Sequence, residues 1–394
     1  MRTPTFEELA GDEAEFFANH FNQTPLLRRA ALSGDSRDVL SVADLDELLH
    51  LEAIRPPYLA ITKDGDGVPE RAYTTLTRVQ GTTVTDTVVA ERVYELFRTG
   101  ATLTWSSLNH VLPSVRALTR MLATKFAARS DVVAFLTPAG RQGFSPHHDP
   151  VDLFIIQLEG TKHWKLWEPP ATRRGDIGHY KLEELGTPVI ETTLQAGDVL
   201  YLPYNTPHVA AAEDQVSLHL SVMVRPRMWR DLLGLAVERL LDTEGFWQFP
   251  YLHESTVTDL VPTFTDHAAL LAERLREIDV EAELRRLMTL GQHSEGTAQG
   301  NEFQTIAALD AIGGSTLLRR TDVAVTFQES RDGRTKTKVN GHTIAIPSAV
   351  AATLERMTSG EPVPAREINP DVETERSVGI AQALARLGVL TVAR

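Results

Sequence analysis

The most informative part of this chain is residues 135–167, which read FLTPAGRQGFSPHHDPVDLFIIQLEGTKHWKLW. His147-His-Asp149 lies at its centre, and an apolar run follows directly. Residues two apart on an extended strand point to the same side, so His147 and Asp149 present an imidazole and a carboxylate together. Another histidine, His208, follows 61 residues after His147 and ends the segment GDVLYLPYNTPH.

A histidine two residues before an acidic residue is not rare in a chain of this composition. With 13 His and 53 acidic residues among 394, roughly 1.7 such pairs are expected by chance if positions are independent. Two others occur, His50-x-Glu52 and His293-x-Glu295. Both lie in predicted helix or linker, where this spacing separates the two side chains. The pair at 147 and 149 differs because it precedes a predicted strand.

Two histidines and one carboxylate on one face of a metal ion leave the opposite positions open. Non-haem Fe(II) oxygenases use this arrangement, because O2 and a chelating co-substrate need those positions. We therefore predict that His147, Asp149 and His208 bind one Fe(II) ion and form the catalytic centre. A zinc hydrolase with these ligands would need a general base, and the sequence has no His-Glu-x-x-His helix.

Short apolar segments separated by turns run through the middle of the chain. Strands are predicted at residues 132–137, 151–158, 163–167, 189–194, 199–203 and 215–224. Several short strands at regular spacing indicate a barrel or sandwich. Helical spacing is typical of residues 1–60 and 88–127, with a capping box at Ser41-Val-Ala-Asp44 and an intervening strand at 58–62.

The rest of the chain predicts helices and then a mixed domain. Residues 228–290 have helical spacing, and an apolar stripe contains Trp229, Leu232, Leu233, Ala236 and Leu240. Such a stripe usually serves the core, and a dimer interface is the alternative. Residues 291–300 are polar and glycine-bearing, which is typical of a linker. The predicted domains are 1–227, 228–303 and 304–394, the last with a winged-helix-like order of helices and strands.

The composition, 42% hydrophobic and 23% charged, is typical of a globular protein. The sequence has no run of 18 apolar residues and no signal-like N-terminus, which predicts neither a transmembrane helix nor secretion. It contains no cysteine. This excludes disulfides and cysteine chemistry, and it suits a cytoplasmic location.

The net charge of −14 is unevenly distributed along the chain. Residues 306–394 contain 11 Lys+Arg and 10 Asp+Glu, a net of +1, which leaves −15 for the first 305 residues. A negative field disfavours nucleic acid and anionic membranes and attracts basic partners. The charge therefore predicts a basic protein or peptide partner, no nucleic acid and no membrane.

The stretch 135–167 resembles the iron-binding core of the JmjC ribosomal oxygenases, also called the cupin-4 family. In that family the strand after the His-x-Asp ends in a Gly-x-Lys/Arg-x-Trp turn, matched here by Gly160-Thr-Lys162-His-Trp164. The resemblance implies an α+β fold: a JmjC/cupin double-stranded β-helix barrel with N-terminal helices, a helical dimerisation segment and a winged-helix-like C-terminus. It also implies a homodimer, with Fe(II), O2 and 2-oxoglutarate, whose distal carboxylate Lys162 would bind.

By the same resemblance, the substrate is an Arg or His side chain of a ribosomal protein, hydroxylated at the β-carbon. Two departures from the family pattern concern the site. Pro203-Tyr204-Asn205 replaces a frequent Pro-Arg-Gly, and Phe135 replaces a tyrosine that often assists co-substrate binding, so Thr137 is the predicted substitute. A tailoring hydroxylase acting on a peptide natural product or small metabolite stays open. A non-catalytic cupin is disfavoured by the intact triad.

Three further histidines lie near these motifs. His148 and His163 are adjacent to motif residues and therefore point to the opposite face of their strands, so we interpret both as structural. His219 alternates with apolar residues in Ser217-Leu-His-Leu-Ser221. We interpret it as a core histidine with satisfied hydrogen bonds, and a position inside the barrel near the co-substrate is the alternative.

Overall fold

The structure is a computed structural model, and it describes residues 1–248, 256–290 and 302–393, apart from 322, 324, 340, 341 and 358–360. It divides into two compact units, Met1–Glu277 and Ile278–Arg394. The proposed linker and the His293-x-Glu295 pair lie outside the described residues, and the three predicted domain ranges stay predictions. Within the described ranges, no helix combines the length and apolar character needed to cross a bilayer.

The first unit contains fifteen described strands and seven α-helices. The strands are β1 (Leu26–Arg28), β2 (Leu59–Lys63), β3 (Asp66–Gly67), β4 (Thr74–Val79), β5 (Thr82–Val88), β6 (Thr102–Ser106), β7 (Arg129–Thr137), β8 (His147–His148), β9 (Asp152–Glu159), β10 (Lys162–Leu166), β11 (Gly178–His179), β12 (Ile190–Leu194), β13 (Val199–Leu202), β14 (His208–Ala212) and β15 (Ser217–Arg225). The helices are α1 (Phe6–Ala10), α2 (Glu13–Asn19), α3 (Val42–Leu49), α4 (Ala90–Arg98), α5 (Pro113–Phe126), α6 (Trp229–Leu241) and α7 (Val257–Glu277).

Two sheets form the barrel. The larger has the order β1-β13-β9-β15-β7-β6-β2-β3, and the smaller has the order β11-β8-β14-β10-β12. Apolar side chains from both sheets join in one buried cluster, Val151, Leu153, Ile155, Trp164, Leu166, Leu194, Leu200 and Leu202. The two sheets therefore face each other across a shared core.

Helices cover the outer face of the larger sheet. Phe16 of α2 packs on Phe154 of β9 and on Tyr201 of β13, with ring centroids 5.8 and 4.9 Å apart. Residues of β9 are thus buried alternately inside the barrel and under the helices. Burial on both faces explains why this strand is a continuous apolar run in the sequence and not an alternating one.

Each of the six strands predicted for the barrel is present, as β7, β9, β10, β12, β13 and β15, with ends shifted by a few residues. The capping box at Ser41 is present at the start of α3. The helical prediction for 88–127 was wrong in its middle, where β6 pairs with β2 and β7. The prediction for 1–60 omitted β1, which adds to the edge of the larger sheet at β13.

The second unit combines helices and two small sheets. Its elements are α8 (Val280–Leu290), α9 (Glu302–Ala307), β16 (Leu317–Arg320), β17 (Val325–Arg331), β18 (Arg334–Val339), β19 (His342–Pro347), α10 (Ser348–Arg356), β20 (Val363–Pro364), α11 (Thr374–Arg386) and β21 (Leu390–Val392). The sheets are β20-β16-β21 and β17-β18-β19. Leu318, Val350, Leu354 and Leu384 are in its core. The predicted mixture of helices and strands is present, and the winged-helix assignment stays a proposal.

Candidate metal centre

Strand pairing brings the three predicted ligands together. His147 of β8 and His208 of β14 are Cα partners on adjacent antiparallel strands. Partners of this kind direct their side chains to the same face of a sheet. Asp149 follows His147 by two residues and joins them, and the two imidazole centroids are 4.4 Å apart.

The ligand atoms are spaced as a metal ion requires. Nε2 of His147 lies 3.6 Å from Oδ2 of Asp149, and Nε2 of His208 lies 3.9 Å from the same oxygen. One potential ligand atom from each of the three residues lies within 4.8 Å of the other two. Metal–nitrogen bonds are about 2.0–2.1 Å, so two ligands of one ion are roughly 3 to 3.5 Å apart. Small side-chain rotations would bring all three atoms to that spacing, so the residues fit a divalent cation.

Backbone carbonyls fix the orientation of both imidazoles. Nδ1 of His147 is 2.8 Å from the carbonyl oxygen of Ser145, and Nδ1 of His208 is 2.9 Å from that of Thr206. Since a carbonyl only accepts, each Nδ1 carries the proton and donates. The lone pair of each Nε2 is then directed at the centre, which is the usual preparation of a metal-binding histidine.

The surroundings shift the pKa of all three triad residues, and for Asp149 and His208 the shift favours the form that binds a cation. Burial and the positive charge of His147 lower the pKa of His208 to about 4. Burial raises the pKa of Asp149, but contacts with His147 and His208 outweigh it and leave that pKa below its usual value. Burial lowers the pKa of His147, and its contact with Asp149 outweighs this effect and raises the pKa. Near neutral pH, Asp149 is therefore ionised and His208 is neutral, as metal binding requires.

Asn205 connects the two ligand segments. Its backbone N–H donates to the carbonyl of Asp149 at 3.1 Å, and its side-chain Nδ2 donates to the same oxygen at 3.2 Å. The residue is fully buried with a φ of 62°. Asparagine tolerates this left-handed conformation better than most residues do. Asn205 thus occupies the backbone conformation that glycine would favour, and adds a hydrogen bond that glycine could not make.

The triad opens into a cavity of about 510 Å³ between the two sheets. The lining includes Phe135, Phe144, His147, Asp149, Lys162, Trp164, Ile177, His179, His208, His219, Met223 and Arg225. Among the described lining residues, Asp149 is the one carboxylate. The cavity is therefore mainly apolar, with the metal-binding groups on one wall and cationic groups on others.

Lys162, at the start of β10, is buried in this cavity with 4% of its surface exposed. Its Nζ donates to Oγ1 of Thr137 at 3.2 Å. No carboxylate in the described ranges forms an ion pair with it, and burial alone lowers its pKa to about 7. A buried ammonium without a counter-ion is unfavourable unless an anion binds beside it. Thr137 lies behind Lys162, where its hydroxyl positions the ammonium.

The other histidines differ in their surroundings. His148 points away from the triad, and its Nδ1 is 2.5 Å from the hydroxyl of Tyr180. His163 lies outside the barrel next to Glu191. His219 faces the cavity and lacks the satisfied hydrogen bonds expected of a core histidine. Its position in the cavity agrees with the alternative that places this residue inside the barrel near the co-substrate.

Sequence reasoning did not single out three residues of the cavity. His179 of β11 is the Cα partner of His147, but it lies in a segment whose sequence lacks a strand pattern. Ile177 precedes it in the same segment and also lines the cavity. Arg225 ends β15 and has no local motif. Only contacts between distant segments bring these residues to the cavity, so no signal in the sequence would have found them.

Residues 109–232 match the model of the JmjC domain family. This part of the chain is a JmjC domain. It includes the whole triad, Lys162 and both sheets' central strands. The match agrees with the barrel and with the resemblance found in residues 135–167.

Relatives of the JmjC domain carry informative names. A protein of Aedes aegypti named bifunctional lysine-specific demethylase and histidyl-hydroxylase NO66 is 30% identical over 227 residues, 56% of this chain and 34% of its own length. Ribosomal oxygenase 1 of Gallus gallus is 30% identical over 226 residues, 56% of this chain and 36% of its own length. The NO66 protein of Drosophila mojavensis is 38% identical over 137 residues, 33% of this chain and 15% of its own length. This chain thus spans between 15 and 36% of these relatives.

Solved structures similar to this one extend beyond the JmjC domain. YcfD of Escherichia coli superposes with a TM-score of 0.59 at 18% identity, covering 98% of this chain and 99% of YcfD. A structure described as YcfD, a ribosomal oxygenase, in complex with cobalt and 2-oxoglutarate has a TM-score of 0.57 at the same identity and coverage. At this identity the likeness concerns the fold, an α+β architecture built on the JmjC/cupin barrel.

Proposed function

We propose that this protein is a 2-oxoglutarate-dependent Fe(II) dioxygenase that hydroxylates the β-carbon of an Arg or His side chain in a ribosomal or other basic protein. One observation carries the proposal. A His-Asp-His triad with both Nε2 atoms directed at one carboxylate shares its cavity with a buried lysine that has no counter-ion among the residues that the structure describes. The names of the JmjC relatives support the same reaction.

In this proposal His147, Asp149 and His208 hold Fe(II) from one side. When bound, the iron and 2-oxoglutarate supply the oxidising chemistry, in which O2 is reduced, 2-oxoglutarate becomes succinate and CO2, and one oxygen atom enters a C–H bond. The protein contributes the orientation. The carbonyls of Ser145 and Thr206 hold the two imidazoles, and the apolar wall of the cavity excludes water from the reacting groups.

Lys162 supplies the positive charge for the distal carboxylate of 2-oxoglutarate. Its Nζ lies in the same cavity as the triad and is held by Thr137. An ammonium in a buried, largely apolar site interacts more strongly with an anion than it would in water. In this proposal Thr137 contributes to co-substrate binding by positioning that ammonium.

The target side chain would enter through the apolar side of the cavity. Asp149 is the one carboxylate among the described lining residues. Because it would be bound to the metal, it would not be free to pair with an arginine. Arg225 would repel it further. We therefore favour histidine, which is mostly neutral near pH 7, over arginine as the modified side chain.

The basic character of the substrate would be recognised outside the cavity. Gly65 lines the cavity, and the turn that contains it bears the exposed residues Asp64 and Asp66. These carboxylates add to the negative charge of the first 305 residues. A basic segment flanking the target would be attracted to this rim. The substrate can therefore be basic although its target side chain is uncharged. A cytoplasmic location stays a prediction of the sequence.

The function is tested by incubating the Fe(II)-loaded protein with 2-oxoglutarate and histidine-containing peptides from ribosomal proteins. We expect succinate and a mass increase of one oxygen atom on the histidine. For a basic peptide, kcat/KM should fall about tenfold as ionic strength rises from about 0.01 to 0.15 M, because the screening length shortens from about 30 to 8 Å.

A peptide with the same target histidine but neutral flanks is the control, and its kcat/KM should vary little with salt. The double variant Asp64→Asn/Asp66→Asn should reduce the salt dependence of the basic peptide. Equal salt dependence for both peptides would contradict the basic-partner proposal. A neutral metabolite or peptide natural product as the preferred substrate would instead support the tailoring alternative.

We further propose a homodimer formed through α6 and α7. Trp229 and Leu233 of α6 are 71 and 55% exposed, and Phe264 of α7 is 76% exposed. Large apolar side chains concentrated on neighbouring helices are typical of an interface between proteins. Isologous pairing of this face is the simplest closed assembly.

Light scattering at micromolar concentration should give twice the chain mass of 43.6 kDa. The variant Leu233→Lys/Phe264→Lys should give the monomer mass, because two charges would be buried at the interface. Leu76→Lys is the matched control, since Leu76 is 61% exposed on β4. A monomer for the unmodified protein would refute the dimer.

A further inference from the structure

His219 is a polar side chain enclosed in the cavity wall. It lies within β15, where Phe135 of β7 is its Cα partner, and the register with β9 shifts between Leu218 and His219. The imidazole stacks on Phe135 at 5.0 Å with planes 12° apart, and it meets the edge of Trp164 at 5.5 Å. A register shift of this kind redirects a side chain. The two aromatic contacts hold the ring in one orientation.

The hydrogen-bonding capacity of His219 is unused. The residue is 3% exposed, and its buried Nδ1 has no hydrogen-bond partner within the described ranges. Burial, with smaller contributions from Lys162 and His208, holds its pKa well below the usual value, so the ring is neutral. A neutral imidazole has one N–H donor and one acceptor. Buried polar groups in proteins are nearly always paired, so an unpaired one facing a cavity indicates a ligand.

The position of His219 indicates which part of a bound ligand its ring would contact. On the paired strands β7 and β15, one Cα pair separates the pair Phe135–His219 from the pair Thr137–Ser217. The two pairs are therefore roughly 7 Å apart along the strands. Thr137 accepts the hydrogen bond from Lys162. On the other side, Trp164 contacts both His219 and the metal ligand His208. His219 therefore lies between the buried ammonium and the triad.

We propose that an N–H of His219 donates a second hydrogen bond to the carboxylate that Lys162 binds. The inference rests on the proposed function, since it takes 2-oxoglutarate as the ligand. A neutral donor suits this position because a second cation beside Lys162 would be repelled. The lysine supplies the charge, and His219 fixes the direction of the carboxylate. His219 is thus a specificity-determining residue for a five-carbon diacid over a 2-oxo acid without the distal carboxylate.

The test is calorimetric binding to the Mn(II)-loaded protein, which is read without turnover. The ligands are 2-oxoglutarate and 2-oxopentanoate, which has a methyl group in place of the distal carboxylate. His219→Phe keeps an aromatic ring and removes the donor, whereas His219→Gln keeps a neutral N–H donor. We expect the Kd for 2-oxoglutarate to rise roughly tenfold in His219→Phe and less than about threefold in His219→Gln. The Kd for 2-oxopentanoate should be the same in all three proteins.

The outcomes separate the two proposals. If the unmodified protein does not bind 2-oxoglutarate, the proposed function fails and this inference fails with it. If it binds 2-oxoglutarate and His219→Phe binds equally well, only the inference is overturned. Parallel losses for both ligands would mean that His219 merely packs the cavity, which also overturns the inference. Thermal melting of each variant confirms that the comparison is made between folded proteins.

Discussion

Replacement of His208 by alanine is expected to abolish 2-oxoglutarate turnover while the barrel stays folded. The substitution removes one of three ligand atoms and leaves Nε2 of His147 and Oδ2 of Asp149 in place. Loss of a residue that merely orients a metal ligand costs about 10- to 100-fold in affinity or activity. Loss of the ligand itself should therefore exceed a hundredfold. Succinate formation and Mn(II) affinity are the two measurements.

The control is His163→Ala, on the outer side of β10, where the imidazole contacts Glu191 and not the triad. This variant should retain its turnover and metal affinity. If His208→Ala does not fold, Asp149→Asn tests the same site at a side chain that is 28% exposed. Undiminished turnover in either ligand variant would show that iron binds elsewhere.

Part of the candidate metal centre was predictable because its signal is local. His147 and Asp149 lie two residues apart in an extended segment, and this spacing alone sets them on one side. The partner strand that carries His208 was not predicted, since His208-Val-Ala-Ala-Ala212 has few of the residues that favour strands. His208 was identified from its surrounding motif and from the family resemblance. The role of Lys162 was implied by the family resemblance at Gly160-Thr-Lys162-His-Trp164, and it stays a proposal.

The remaining parts of the site depend on contacts between distant segments. β6 lies in a region with helical spacing, and it is a strand because it pairs with β2 and β7. The environment of His219 depends on Phe135 and Trp164, which lie 84 and 55 residues earlier in the chain. Tertiary pairing overrides local preference in the first case and creates a new environment in the second. A single sequence without a structure contains neither kind of information.

The second large effect is expected at Lys162. Loss of a hydrogen bond to a charged group costs about 1.5 to 3 kcal/mol, which corresponds to roughly 10- to 150-fold in the KM for 2-oxoglutarate. Lys162→Ala should show this increase, and Lys162→Met should show it without leaving a cavity. Lys162→Arg keeps the charge and should lose much less. Equal KM values for the alanine and arginine variants would mean that another group binds the distal carboxylate.

The pH dependence gives a second, independent measurement of the same lysine. Burial lowers the pKa of Lys162 from 10.5 to about 7, so above pH 7 the folded protein without ligand releases a proton that the unfolded chain keeps until about 10.5. Stability should therefore rise with pH across this window through Lys162, and the Lys162→Met variant should lack that contribution.

A bound carboxylate requires the charged ammonium, so 2-oxoglutarate affinity should fall as pH rises above 7. Calorimetry near pH 8, in buffers of different ionisation enthalpy, should detect uptake of close to one proton per ligand by the Mn(II)-loaded protein and none by Lys162→Met. The same proton uptake in both proteins would assign the effect to a different group.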